Sequence, residues 1–331
     1  MVVPLNLFYE EPDPDRWIRF DHFPRRIVRR VVRGKRRPGG PEHVFLNLCA
    51  GLDKIGVKYR TNDYRYARRY PNEIACIIGK PQVLDKIDWQ NPIVFGAATF
   101  SHPIENPDFF QRYPMVRKIL VPGEWMRRMW EPYYGDKVTS WPVGIDTKAW
   151  FPSSTEKHFD FLVYDKVRWE HDRYTAELLN PICSELSKRN LTFTTIRYGS
   201  YREEQFLEVL RHCRAMIFLC EHETQGIAYQ QALSCGIPIL AWDREGYWQD
   251  PSFFPHKVRF APVSSVPYWD DRCGIKFNVV DEFPHKLTKF IGSLCENRFA
   301  PREYILENLT LEKAARRYVE IVDGVEMSLR N

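Results

Sequence analysis

Residues 215–243 read AMIFLCEHETQGIAYQQALSCGIPILAWD and decide the fold. Ala215–Leu219 is a short apolar run, which is typical of a buried parallel strand. A helix is predicted to begin at Gly226 and to end near Cys235, where a Gly-Ile-Pro stretch stops it. A second apolar strand, Ile237–Trp242, follows directly. The order strand, loop, helix, strand indicates a unit of a parallel α/β sheet.

The loop of this unit carries polar residues suited to an elongated anionic ligand. A helix start directs backbone N–H groups and a positive dipole toward the sheet edge, and phosphates bind there readily. Glu223 lies three residues before Gly226. Gln231 lies within the helix, roughly 7.5 Å farther along its axis. The acid Glu223 in the loop and the amide Gln231 in the helix could bind hydroxyls at the two ends of one elongated ligand, with the phosphates between them at the helix start. A nucleotide-sugar has this arrangement of groups.

These residues resemble the signature of the GT-B glycosyltransferases of the GT4-like group: Glu, seven residues, Glu, then Ala and a short run ending in Gly-x-Pro. Ala232 and Cys235-Gly236-Ile237-Pro238 match its end, and Glu223 matches the first glutamate. Gln231 stands where the family has the second glutamate, which binds the ribose of the nucleotide. Glutamine keeps an acceptor oxygen but lacks the charge. The resemblance implies that Glu223 is catalytic, and that the nucleotide-sugar contacts Thr224, Gln225, Gly226, Ile227 and Gln231.

Length and composition favour a two-domain cytoplasmic protein. The chain has 331 residues, of which 44% are hydrophobic, and this exceeds a usual single core. It has no run of about 18 apolar residues, and its start lacks the features of a secretory leader. Its eight cysteines are scattered and form no CxxC pair. We therefore expect reduced thiols and no zinc site.

The net charge of +5 is concentrated in one segment. Arg16–Arg37 holds ten Lys/Arg and one acid, and on a helix its Ile and Val residues would face opposite its arginines. A surface helix that covers the sheet and a helix that lies in an anionic membrane interface explain this pattern equally well. Nucleic-acid binding ranks third, because no nucleic-acid-binding fold accompanies the patch. We expect no nucleic acid as a partner.

The amino-terminal half begins with a predicted strand, Val2–Phe8. A helix is predicted from Glu42 to Ile55, and Gly39 and Gly40 precede it. By resemblance, these glycines form the loop that borders the acceptor and the donor phosphates in GT-B amino-terminal domains. A simple turn is the alternative.

Three further apolar segments predict parallel strands: Ile74–Ile78, Ile93–Ala97 and Ile119–Val121. His102 follows the second of them, at the carboxyl end of a strand, where α/β enzymes bind ligands. In the family, a histidine at the equivalent place contacts the donor sugar, so His102 is the second catalytic candidate. A structural histidine is the alternative.

In the second half, Phe159–Tyr164 is a predicted strand, and Lys166, Arg168 and Arg173 follow it. The family places an arginine and a lysine after this strand, so these three are the candidates that neutralise the diphosphate. Further predicted elements are helix 175–188, strand 192–197, helix 203–213 and a final helix 311–329. Tyr198 and Gly199 lie at a strand end where the base of a nucleotide would rest.

The resemblance implies an α/β fold of the GT-B type, in which two Rossmann-like doubly wound domains face each other across a cleft. The expected boundaries are an acceptor domain at 1–150, a nucleotide-sugar domain at 151–310 and a helix at 311–331 that returns to the first domain. The implied activity is retaining transfer of a sugar from a nucleotide-sugar to a glycan or lipid-linked acceptor, without metal or cofactor. We expect the protein to lie in the cytoplasm, also on the inner face of the plasma membrane if the basic segment binds it. A noncatalytic partner subunit is the alternative, which Gln231 favours; a dinucleotide-dependent oxidoreductase is disfavoured because no GxGxxG follows the first strand.

Overall fold

The computed structural model describes residues 4–10, 39–97 and 99–330. The basic segment Arg16–Arg37 lies outside the described residues, so the choice between a surface helix and a membrane helix stays open. The chain divides into two units. The first comprises Met1–Pro122, Trp130–Trp141 and Ala314–Asn331, and the second comprises Gly123–Met129 and Pro142–Lys313.

In the first unit, the described residues form a parallel sheet of six strands in the order β2-β1-β3-β4-β5-β6. Its middle strands are buried apolar runs, because helices cover both faces of a parallel sheet. The strands are β1 (Leu5–Phe8), β2 (Tyr59–Thr61), β3 (Ala75–Ile77), β4 (Ile93–Phe95), β5 (Val116–Val121) and β6 (Val138–Ser140).

The second unit holds a parallel sheet of five strands in the order β11-β10-β9-β7-β8. They are β7 (Phe159–Asp165), β8 (Phe193–Arg197), β9 (Cys213–Leu219), β10 (Ile239–Trp242) and β11 (Gly274–Phe277). After β7 the chain adds β8 on one side and then β9 on the other. The carboxyl ends of β7 and β9 therefore flank a topological switch point, which is where open α/β sheets bind ligands.

Strand β9 shows why a central strand of the second sheet has a nearly continuous apolar sequence. Met216 and Phe218 pack into the core on one face, and Ala215, Ile217 and Leu219 pack into the core on the other. All five side chains are buried, and full burial of a side chain as large as Phe contributes about 1.5–3 kcal/mol. A strand buried on both faces leaves no position for alternating polar residues.

The helices that the structure describes are named here in chain order. They are α1 (Gly40–Lys54), α2 (Tyr64–Arg69), α3 (Phe109–Arg112), α4 (Glu124–Tyr134), α5 (His171–Tyr174), α6 (Asn180–Lys188), α7 (Glu203–His212), α8 (Ile227–Ser234), α9 (Phe283–Cys295), α10 (Pro301–Asn308) and α11 (Leu311–Arg330). Among the described residues, none of these helices has the length and apolar character needed to cross a bilayer.

Most of the predicted elements are present with small shifts of their ends. The largest difference lies in the predicted helix 175–188, which is divided into a π-helical turn, Thr175–Leu179, and α6. The edge strands β2 and β6 were not predicted from the sequence. Each has only three residues and includes exposed or half-buried polar side chains, so neither gives an apolar run.

Candidate functional site

The site is built where β7 and β9 end, at the switch point of the second sheet. Lys166 follows β7 and its N–H donates to the carbonyl of Leu219, the last residue of β9, at 2.8 Å. Glu223 lies in the loop after β9. The fold thus brings together two residues that are 57 positions apart in the sequence, both of them predicted site residues.

Lys166 and Glu223 form a buried ion pair between Lys166 Nζ and Glu223 Oε1, and their side chains are 12% and 9% exposed. The Lys166 ammonium also lies 4.3 Å from the ring centroid of Tyr198, a residue that is half exposed. This cation–π contact places the predicted Tyr198 beside the ion pair. Two oppositely charged groups are therefore held in a water-poor region beside a surface aromatic ring.

The ion pair keeps both partners charged. Burial alone would raise the pKa of Glu223, but the cations of Lys166 and Arg168 outweigh it and the pKa is lowered. Burial alone would lower the pKa of Lys166, but the carboxylate of Glu223 outweighs it and the pKa is raised. At neutral pH the site presents a fixed carboxylate and a fixed ammonium.

Arg168 is held by two residues of the loop after β9 that were not predicted as site residues. The Oε1 atom of Glu221 accepts N–H bonds from Arg168 at 2.7 Å and from Trp169 at 2.8 Å. The guanidinium of Arg168 lies 3.2 Å from His222 Nδ1 and donates to the His222 carbonyl at 3.0 Å. Glu221 and His222 therefore fix both the backbone and the side chain of Arg168.

The contact with Arg168 defines the protonation of His222. A guanidinium can only donate, so Nδ1 must accept and the ring proton sits on Nε2. Burial and the neighbouring cations, Arg168 first, hold the pKa of His222 well below its usual range. The imidazole is therefore neutral at pH 7. Its Nε2 has no hydrogen-bond partner among the described residues, and the rings of Trp169 and Trp125 lie 5.1 and 5.6 Å away.

Gly226 begins α8 in a conformation that requires glycine. Its φ is +79°, and a Cβ added there would lie 2.0 Å from Cε1 of the buried Tyr229. The turn leaves the N-terminus of α8 directly after the Glu223 loop, as predicted. Thr224 and Ile227, which flank this turn, are half-buried.

Gln231 is buried on α8 and its amide nitrogen donates to Glu203 Oε1 at 2.9 Å. Glu203 begins α7, after the loop that contains Tyr198 and Gly199. Gly199 has φ +83°, and a Cβ there would meet nothing within 4 Å. Gln231 is therefore in contact with a carboxylate from another helix.

The structure does not bring two of the predicted residues into this group. Gln225 is buried, and its side-chain oxygen accepts the N–H of Val143 at 3.0 Å. Its side-chain nitrogen donates to the Val143 carbonyl at 3.3 Å and to Gln230 Oε1 at 3.0 Å. Arg173 forms ion pairs with Glu170 at 3.1 Å and with Glu177 at 3.6 Å on the surface of its own helical segment. The resemblance to the family implies that both residues bind the donor, and this stays a prediction. In the structure Gln225 contacts buried backbone and Arg173 contacts its helical neighbours.

The candidates of the first unit are on separate elements. His102 is fully buried, and its Nδ1 accepts the N–H of Ile104 at 3.1 Å, which caps a short 3₁₀ helix. Burial lowers the pKa of His102 to about 4. Gly39 precedes α1, and its carbonyl accepts the N–H of His43 at 3.0 Å. Gly40 is the first residue of α1, with open space around it.

Within the described ranges, no group of three His, Cys, Asp or Glu side chains is arranged to hold a metal ion. The cysteines of the described part are all free thiols, and burial raises the pKa of the Cys76 thiol to about 12.

No protein-family model and no curated protein matches this sequence. Solved GT-B glycosyltransferases match its structure. Sucrose-phosphate synthase from Thermosynechococcus elongatus aligns with a TM-score of 0.58 at 10% identity, over 98% of this chain and 99% of its own. The lipopolysaccharide outer core galactosyltransferase WaaB, in its apo form, aligns with a TM-score of 0.54 at 9% identity, over 97% of this chain and 100% of its own.

The pneumococcal O-GlcNAc transferase GtfA in complex with UDP and GlcNAc aligns with a TM-score of 0.51 at 15% identity. This match covers 79% of the chain described here but only 59% of GtfA, less than two thirds of its length. At such identities the likeness shows the fold alone. The predicted α/β fold of the GT-B type is thereby confirmed, and membership of the GT4-like group stays a prediction.

Proposed function

We propose that this protein is a retaining, metal-independent glycosyltransferase that moves a sugar from a nucleotide-sugar to an acceptor hydroxyl. The observation that carries the proposal is the buried Lys166–Glu223 pair, with Arg168 beside it, at the switch point of the second sheet. The fold it shares with glycosyltransferases supports the same reaction class.

In this reaction the bond between the sugar C1 and the diphosphate breaks, and a bond from C1 to the acceptor oxygen forms. The proton of the acceptor hydroxyl passes to the departing diphosphate oxygen, and the nucleoside diphosphate leaves. Lys166 and Arg168 stabilise the negative charge that grows on the leaving diphosphate, because fixed cations in a water-poor site lower such a barrier. The N–H groups at the start of α8 add to this anion binding. Glu223 accepts hydrogen bonds from the sugar and orients it.

Gln231 and Glu203 are proposed to meet the ribose together. Gln231 offers a carbonyl oxygen, and its amide nitrogen holds the carboxylate of Glu203 at 2.9 Å. Gln231 lacks the carboxylate that the resembled signature has at this position. Glu203, on the neighbouring helix α7, supplies a carboxylate beside it. His102 and the Gly39-Gly40 turn stay predictions for the sugar and the acceptor, respectively.

A thermal-shift screen tests this proposal, with UDP, GDP, ADP, CMP, dTDP and their common sugars, each with and without EDTA. A ligand at a hundredfold excess over its Kd stabilises the folded protein by about 2.7 kcal/mol. We expect one nucleotide to raise the melting temperature, with EDTA having no effect, and Lys166→Met to abolish the shift. Arg173→Met is the matched control, because it removes a surface cation outside the Glu223 group, and it should keep the shift.

Activity is then measured with the nucleotide-sugar that binds, and NMR of the product tests whether the anomeric configuration is retained. Glu223→Gln should lower kcat by orders of magnitude in a folded protein. Near-normal turnover of that variant would contradict the assignment of Glu223.

The proposed acceptor is a glycan or a lipid-linked glycan used in cell-surface polysaccharide synthesis. The ten Lys/Arg of Arg16–Arg37 support an anionic membrane surface as a further partner. Sedimentation with vesicles that contain an anionic lipid, compared with neutral vesicles, tests this. Binding only to the anionic vesicles is expected, and no binding to either would favour the surface-helix interpretation.

A noncatalytic partner subunit is the second candidate, and Gln231 is the observation that favours it. A wild-type protein that binds a nucleotide but transfers no sugar to any acceptor would support this candidate.

A further inference from the structure

The backbone of Glu223 is held on both sides. Its carbonyl accepts the indole N–H of Trp125 at 2.7 Å, and its N–H donates to the carbonyl of Ser264 at 2.9 Å. Gly123 permits the first contact, because a Cβ at that position would lie 2.6 Å from the Thr224 carbonyl oxygen. The backbone position of Glu223, from which its side chain projects, is therefore fixed in part by Ser264.

Ser264 lies in the connection between β10 and β11, residues 243–273, which contains no helix or strand. Connections longer than about 12–15 residues without regular structure are uncommon, and their geometry must be fixed by specific contacts. Asp243 supplies these contacts at the end of β10. Its Oδ2 accepts the Ser264 hydroxyl at 2.9 Å, and its Oδ1 accepts the Ser265 N–H at 2.8 Å.

Asp243 is only 1% exposed and is itself held by charge. Lys276 Nζ, on β11, lies 2.8 Å from its Oδ2. The Asp243 N–H also donates to the carbonyl of Phe277 at 2.9 Å, at the end of β11. Asp243 thereby connects the ends of β10 and β11 to the turn at Ser264. This turn contacts Glu223, in the loop after β9. Charge-assisted hydrogen bonds of this kind are stronger than neutral ones and fix geometry well.

We propose that Asp243 is a positioning residue, which sets the orientation of Glu223 through Ser264. This rests on the proposed function, because it assigns Asp243 a role in the same transfer reaction. Asp243 is buried under the turn and does not touch the substrate in this proposal. Without its charge, the turn at Ser264 loses its anchor and the N–H of Glu223 loses a fixed acceptor. A misplacement of about 1 Å in a catalytic group can cost roughly 100-fold in rate.

The test compares Asp243→Asn and Ser264→Ala with a control, Asp250→Asn. Asp250 lies in the same connection, and within the described part of the chain its side chain accepts one hydrogen bond, from the N–H of Ser252 at 3.0 Å. We expect kcat to fall about 10- to 100-fold in Asp243→Asn and by a smaller factor in Ser264→Ala. The Kd for UDP, or for whichever nucleotide the thermal-shift screen selects, should change little, since Lys166 and Arg168 remain. The control should match the wild type in both quantities.

Hydrogen–deuterium exchange of the peptide that covers residues 220–226 provides a second readout, independent of activity. Exchange of this peptide should accelerate in Asp243→Asn and Ser264→Ala but not in the control, because the Glu223 N–H loses its fixed partner. If Asp243→Asn does not fold, Ser264→Ala keeps the test decisive, because it removes only the hydroxyl.

The outcomes separate this inference from the proposed function. A wild type that neither binds nucleotides nor transfers sugar overturns the proposed function and the role of Asp243 with it. A wild type that transfers sugar, while both variants keep its kcat and its exchange pattern, overturns the role of Asp243 alone. A folded variant with lower stability but unchanged kcat and exchange would show that Asp243 is merely structural.

Discussion

Removing Glu223 leaves the Lys166 ammonium buried without its carboxylate, and removing Lys166 leaves the buried Glu223 carboxylate with Arg168 as its remaining neighbouring cation. The two side chains are 12% and 9% exposed, so water does little to solvate the orphaned group. The perturbation we consider is a double-mutant cycle made of Lys166→Met, Glu223→Gln and the variant with both changes. Each substitution keeps the approximate shape of the side chain and removes its charge.

The structure sets the expected magnitudes. Breaking a buried ion pair from one side costs about 3–5 kcal/mol of the free energy of unfolding. Replacing both partners by neutral groups of similar shape can be nearly neutral. The two single variants should therefore each lose several kcal/mol, and the double variant should lose far less than their sum. The coupling energy expected from the cycle is at least about 3 kcal/mol.

Urea denaturation at pH 7 measures these free energies of unfolding. The control cycle uses Arg173 and Glu170, whose side chains are 45% and 57% exposed at a separation of 3.1 Å. Exposed pairs of this kind couple by about 0.2–1 kcal/mol. A coupling energy for Lys166 and Glu223 as small as that of the control would refute the reasoning, because the pair would then behave as if it were solvated.

The contribution of the same pair to the free energy of unfolding should fall at both low and high pH. The lowered pKa of Glu223 means that its contribution to stability is present above the ordinary value of 4.5 and is lost as the pH falls through the folded pKa. The raised pKa of Lys166 means that its contribution is present below 10.5 and is lost as the pH rises through the folded pKa. The difference in stability between the wild type and the double variant should therefore be flat between these limits and should change only outside them.

Three further predictions follow from single contacts. Gly226→Ala should lower the free energy of unfolding, measured by urea denaturation, by about 2–4 kcal/mol, because it adds left-handed strain and a clash with the buried Tyr229 ring. The control Gly292→Ala, on α9 with open space around it, should be neutral or slightly stabilising. Burial lowers the pKa of His102 to about 4, so the unfolded chain binds more protons than the folded protein between pH 6.5 and pH 4. The free energy of unfolding should therefore fall by up to about 3 kcal/mol over this range, and His102→Gln should remove this loss. An equal pH dependence of the free energy of unfolding in both proteins would contradict the prediction. Gln231→Glu should raise the KM for the nucleotide-sugar by setting a second carboxylate against Glu203, and adding Glu203→Gln should restore it; failure of this rescue would argue against their shared role.

The central strands β7, β9 and β10 of the second sheet could be predicted from the sequence because they are buried apolar runs. Strand β8 was predicted although it is only half-buried, and the edge strand β11 was not predicted. Strand β9 has an apolar residue at nearly every position, which leaves few alternative assignments. The edge strand β2, with the sequence Tyr-Arg-Thr, gives no such signal, because its register is set by pairing with β1. The π-helical turn at Thr175–Leu179 was missed for a similar reason: one extra residue in a helical turn leaves the overall pattern of apolar residues nearly unchanged.

The site divides in the same way. The proximity of Lys166 and Glu223 could be predicted because Lys166 directly follows β7 and Glu223 lies in the loop after β9, and parallel strands bring their carboxyl ends to one edge. Glu221, His222 and Asp243 were missed, because their roles depend on partners far away in the sequence. The usable signal for Glu221 and His222 was their place beside Glu223 in the loop. Arg173 is a candidate because the resembled family places cations after this strand, but its contacts in the structure are with its helical neighbours Glu170 and Glu177.

The Lys166–Glu223 ion pair is compatible with binding a diphosphate. An ammonium has three N–H donors, and Lys166 gives one of them to Glu223. In the proposed reaction, two donors remain for phosphate oxygens, so the pair need not break when the nucleotide-sugar binds. Without Glu223, burial would lower the pKa of Lys166 and weaken the charge that the leaving group needs. In the proposed reaction Glu223 would therefore act on both sides of the bond that breaks: on the sugar directly, and on the diphosphate by keeping Lys166 protonated.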